Sequence, residues 1–166
     1  QGAVVVLTTS TLNRVMVVDL ALPATLPSLM IAVYYAVQLT RPRFGHGSDV
    51  GMRRTPWIVG GVALLAIGGV AAAAATGLLE HHPLPGLVLG IMAFAAIGAG
   101  AGAAGTALLT LTASVVSPAA RGPAATAMFT MMIAGFALTT AVASRLLDPF
   151  SMLRLVAVTA LSLIHI

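Results

Sequence analysis

The sequence has no cysteine, no lysine and very little charge of either sign. Without cysteine there is no disulfide, no thiolate metal site and no thiol nucleophile. Charged residues make up only 7% of the chain. A soluble globular domain carries roughly 25%, so this chain cannot cover a water-facing surface. There are four acidic residues, and no two sit together for general acid–base work. No G-x-S-x-G, H-E-x-x-H or phosphate-binding glycine loop is present. These absences point away from an enzyme. The eight basic residues, all arginine, raise the pI to about 11.2. They form no basic patch interleaved with aromatics, so nucleic acid is not the expected partner.

What is abundant is hydrophobicity, at 59% of residues with a mean hydropathy of +1.05. The natural partner is the lipid bilayer. A helix crossing the hydrocarbon core needs about 20 mostly apolar residues. Apolar runs occupy residues 2–22, 24–39, 56–79, 87–116 and 125–143, and a sixth begins near Met152. Backbone groups in lipid must be satisfied internally, and nothing alternates as barrel strands do. The expected fold is therefore all-α: a polytopic transmembrane bundle of about six helices, with short connections and antiparallel neighbours. The connecting segments are read as loops over residues 41–54, 80–86, 117–124 and 145–151.

Arginine asymmetry sets an expected orientation. With the first helix starting in the cytoplasm, Arg41, Arg43, Arg53, Arg54 and Arg121 lie inside. Arg145 and Arg154 then lie outside with Glu80, His81 and His82.

The segment from Arg41 to Arg54 is the most specific feature. Gly45, Asp49, Gly51, Arg53 and Arg54 read G-x-x-x-D-x-G-x-R-R. This resembles the signature loop of the major facilitator superfamily between its second and third helices. Here the second glycine comes one place early, and Val50 replaces the usual base. Several stretches together resemble the PucC family, the bacteriochlorophyll-delivery branch of that superfamily. They are TLNRVMVVDLALPA from Thr11, RFGHGSD from Arg43, RRTPWI from Arg53, MMIAGFA from Met131 and RLLDPFSMLRLVAVTA from Arg145. Asp19 stands where the family pattern has Glu, and the loop from Asp49 to Arg54 is shorter than the family form.

The resemblance implies a membrane carrier or assembly factor for (bacterio)chlorophyll and light-harvesting antenna complexes. Pigment would be cargo, with no covalently bound cofactor, and the partners would be pigment and antenna polypeptides. The location would be the inner, photosynthetic membrane of a bacterium. Residues 1–160 would be an incomplete N-terminal six-helix half of a major-facilitator-type fold, with the C-terminal half of the same protein missing. Two alternatives stand beside this: a solute transporter of another branch, and a non-transporting antenna assembly chaperone. The fifth run lacks the G-P pair of the superfamily's drug–proton antiporters. The last six residues, LSLIHI (161–166), match a translated sequencing-library adaptor and are read as a non-native tail; an ordinary helix end is the alternative.

Arg14 lies well inside the first apolar run. An arginine near the bilayer centre costs roughly 2.5–3.5 kcal/mol on insertion scales. With Asn13 it either lines a cavity and meets a polar group of the substrate, or pins two helices together. Asp19 is about 140° round the helix from Arg14 and makes a poor partner. Asn13, Arg14, Asp19 and Gln38 are the candidate cavity residues. Asn13 and Gln38 are also candidates to reach a pigment magnesium through their amide oxygens. No metal site is expected: His46, His81, His82 and His165 lie outside the five complete apolar runs, and two adjacent histidines beside Glu80 make a weak site. Gly98 and Gly102 form a G-x-x-x-G pair suited to close helix packing.

Overall fold

The computed structural model describes residues 5–19, 21, 23–50 and 54–146. Among these the chain is helical throughout, with no strand. α1 (residues 5–19) is irregular: π-helical over Leu7–Thr11, α-helical over Leu12–Arg14 and π-helical again over Val15–Asp19. α2 is Thr25–Gln38, α3 Arg41–Val50, α4 Arg54–His81, α5 Pro83–Val115 and α6 Arg121–Leu146. A short 3₁₀ turn, Pro118–Ala120, joins α5 to α6. α4, α5 and the unit from Pro118 to Val142 are each long and apolar enough to cross a membrane. The all-α membrane bundle read from composition is borne out, and the protein is an integral membrane protein.

Three boundaries differ from the expected ones. The polar stretch read as a loop is largely helix, because Arg41–Val50 forms α3. Pro42 lies in its first turn, where a missing N–H costs nothing, and the Arg43 amide bonds back to the Thr40 carbonyl at 2.9 Å. The seven-residue turn read around the histidine pair shrinks to one residue. α4 continues through His81, His82 alone is non-helical, and α5 restarts at Pro83. Proline at the first helical position is pre-set for this restart. α2 has 14 residues, fewer than the about 20 of a straight crossing. It ends in a tightened turn, with the Leu39 and Thr40 amides bonded to Ala36 and Val37. Between α1 and α2, Ala21 adopts φ 50°, a left-handed backbone that costs a non-glycine residue roughly 1–2 kcal/mol.

α5 is the centre of the bundle. It packs along most of its length against α4, and against α2 and α3 on another side. α4 and α5 run antiparallel and touch backbone to backbone. A Cβ at Gly100 would lie 2.5 Å from the Gly61 carbonyl and 2.6 Å from the Leu65 amide. Only glycine permits that approach. Leu65, Phe94 and Ile97 fill the rest of this interface, and Leu12, Val15 and Met16 of α1 join Met30 and Tyr34 of α2 in the same core. α6 differs: none of its most apolar window is buried within the chain. Met131, Ile133 and Leu138 stand out from it at 74%, 61% and 68% exposure. In water such a surface would be prohibitive; in lipid it is ordinary.

Candidate functional site

The chain offers two polar constellations, one within α1 and one at the end of the bundle where α3 lies. In α1 the single α-helical turn, Leu12–Arg14, is enclosed by the two π-helical stretches. Leu12, Val15 and Met16 face inward and are buried. Asn13 is half-buried and Arg14 is exposed, and no described residue is bonded to Arg14. The Thr8 and Thr9 hydroxyls both donate to the Val5 carbonyl, at 3.0 and 2.7 Å. Such local bonds occupy carbonyls near the start of the irregular stretch. π-helical turns inside α-helices are rare and concentrate at functional sites. Asp19 closes the second π-helical stretch; its side chain lies outside the described residues.

Gln38 stands apart from this pair, at the end of α2. Its Oε1 accepts a bond from Arg41 Nε. One lone pair of the amide oxygen is thereby taken up inside the protein. Tyr34 also packs edge-on against Tyr35, with ring centroids 5.0 Å apart.

The second constellation gathers part of the signature segment. Arg54, the first residue of α4, carries it. Its guanidinium lies 3.3 Å from the Asp49 carboxylate. It also donates to the Thr110 carbonyl at 3.4 Å and to the Ser114 hydroxyl, both in the last turns of α5. One cation therefore joins α3, α4 and the C-terminal end of α5. Cations are favoured at helix C-termini, where unpaired carbonyls give a partial negative charge. Gly45 sits against Thr106 of α5, and Gly47 against the indole of Trp57. Gly51 and Arg53 lie outside the described residues.

Gly98 and Gly102 receive the joint between α2 and α3. A Cβ at Gly98 would lie 2.7 Å from the Tyr34 carbonyl, and one at Gly102 would lie 3.3 Å from the Phe44 ring. Thr110 and Ser114 escaped the sequence reading because they sit in an apolar run without charge. Their spacing of four, which stacks them on one helix face, was the available signal. Among the described residues no group of three or more His, Asp or Glu side chains is arranged to hold a metal ion.

The sequence profile described as "PUCC protein" matches residues 11–166. The chain belongs to the PUCC protein family. Among the family's curated relatives, the "Bacteriochlorophyll synthase 44.5 kDa chain" of Rhodobacter capsulatus is 46% identical over 160 residues, covering 96% of this chain and 37% of that protein. "Protein PucC" of the same organism is 32% identical over 172 residues, covering 95% and 37%. "Protein PucC" of Cereibacter sphaeroides is 28% identical over 167 residues, covering 90% and 35%. The chain thus spans little more than a third of the PUCC relatives it matches. No solved structure matches it.

Proposed function

We propose that this chain is part of a membrane carrier and assembly factor that handles (bacterio)chlorophyll for light-harvesting antenna complexes. It would act in the inner, photosynthetic membrane of a bacterium. On this reading residues 1–160 belong to the N-terminal six-helix half of a major-facilitator-type fold. The remaining length of the same protein closes a cavity against it, and the last six residues are no part of the working chain. Family membership and the names of two relatives support a role in biogenesis of photosynthetic pigment or antenna complexes.

One observation carries the reading: Arg14 is exposed on α1 between two π-helical stretches. A guanidinium there costs roughly 2.5–3.5 kcal/mol against hydrocarbon, so a polar group must cover it. A pigment offers carbonyl and carboxyl oxygens of the right kind, and the guanidinium fork suits them. Asn13 adjoins it as a second polar contact. Binding and release, with no bond made or broken, is the activity assigned to these residues. The Arg54 junction serves as the cytoplasmic hinge beneath that cavity.

The test uses the full-length parent protein purified from a phototroph. Co-purified pigment in its absorption spectrum, lost in Arg14→Ala together with antenna assembly, supports the carrier. No bound pigment and normal antenna assembly in Arg14→Ala would overturn it. Antenna polypeptide captured without pigment would leave a chaperone in its place.

A further inference from the structure

α3 divides cleanly into two sides. Successive residues on a helix are about 100° apart. Phe44, Gly45, Gly47 and Ser48 fall on one side, and these are its buried or half-buried residues. Arg43, His46 and Val50, spaced by three and four, fall on the other side and are all exposed. Arg41, at the start of the helix, lies on the α5 side, where its Cγ would be 3.4 Å from a Cβ at Gly102. Contacts fix the inner side. Gly47 lies against the indole of Trp57, and the Phe44 ring centroid is 6.3 Å from that of Trp57.

Trp57 sets the depth. It is the only tryptophan in the chain and lies in the first turn of a membrane-spanning helix. Tryptophan at a span's end sits at the level of the lipid headgroups, apolar ring inward and polar N–H toward water. A helix packed directly on that indole lies at the same depth. Its outward residues therefore reach the phosphate layer.

The charge there is positive. Among the described residues no acid pairs with Arg43, and the one acid on α3, Asp49, is engaged by Arg54. Val50 on the same side is 72% exposed. An arginine beside an exposed aliphatic at headgroup depth matches an anionic lipid, phosphate to arginine and glycerol backbone to the apolar flank.

We infer that the outer face of α3 is a docking site for an anionic phospholipid headgroup, with Arg43 as the phosphate ligand. This does not depend on what the protein carries. The full-length protein is purified in detergent, offered equal amounts of phosphatidylglycerol and phosphatidylcholine, and its retained lipid is measured by native mass spectrometry. The wild type should retain phosphatidylglycerol with a roughly fivefold preference. R43Q should bring the two lipids to near equality. High salt should do the same in the wild type, which keeps the test open if the variant folds poorly. Equal retention by the wild type would overturn the inference, and is the result expected if an acidic polypeptide covers this face instead. A preference that survives both the substitution and high salt would overturn it as well.

Discussion

The guanidinium of Arg54 at the start of α4 lies 3.3 Å from the Asp49 carboxylate near the end of α3. The pair is partly open, with side chains 25% and 54% exposed. Pairs of that kind contribute about 0–1 kcal/mol on their own. Arg54 does more than Asp49, because it also holds the Thr110 carbonyl and the Ser114 hydroxyl.

The two substitutions should therefore differ. Asp49→Asn is expected to lower stability by less than about 1 kcal/mol. Arg54→Ala should cost about 1–2 kcal/mol, since the end of α5 loses its cation as well. Arg54→Lys should fall between them: it keeps charge but not the fork. Thermal unfolding of the full-length protein in detergent measures all three; equal losses for Asp49→Asn and Arg54→Ala would contradict the shared junction.

Gly60 and Gly61 are neighbours on α4 and should respond in opposite ways. A Cβ at Gly61 would lie 2.7 Å from the Ala104 amide nitrogen, whereas one at Gly60 meets nothing within 4 Å. Gly61→Ala should destabilise by about 1–3 kcal/mol through overpacking. Gly60→Ala should be neutral or stabilising by up to about 1 kcal/mol, because alanine is the better helix former. Unfolding midpoints of the two variants decide the matter.

Arg14 should oppose insertion of its own helix. Placed in a reporter for membrane integration, the first apolar segment should insert better as Arg14→Leu, by roughly 2.5–3.5 kcal/mol. The same change in the full-length protein should impair antenna assembly. Improved insertion with intact assembly would leave Arg14 without a functional role.

Orientation is testable by reporter fusions. Arg41, Arg43, Arg54 and Arg121 all sit at or next to helix ends, and the arginine bias predicts that they face the cytoplasm. A fusion after Ser117 should report cytoplasm, and one after His82 the opposite side. The reverse pattern would invert the assignment.

Much of the architecture was legible in the residues. The apolar runs and the polar breaks located α4, α5 and α6 to within a few residues, with α5 starting at Pro83 and not at Leu87. α3 was not legible. Its two glycines and proline argue for a loop, and its helix is supported from outside by Trp57 and α5. The partners of Arg54 were equally hidden, because Thr110 and Ser114 lie 56 and 60 residues away along the chain. Of the candidate residues, Asp49 and Arg54 meet at one junction and Gly45 sits against Thr106 of α5, whereas Gln38 bonds Arg41.

The residue content alone determined the solvent and the class of structure. A chain so poor in charge must bury itself in lipid, and a backbone in lipid must close its hydrogen bonds within helices. Only tertiary structure decided which helices touch, where the polar stretch itself becomes helix, and that α1 departs from regular winding. Those outcomes rest on contacts between distant residues, such as glycine against carbonyl and guanidinium against a helix end. Their energies exist only once the helices have come together.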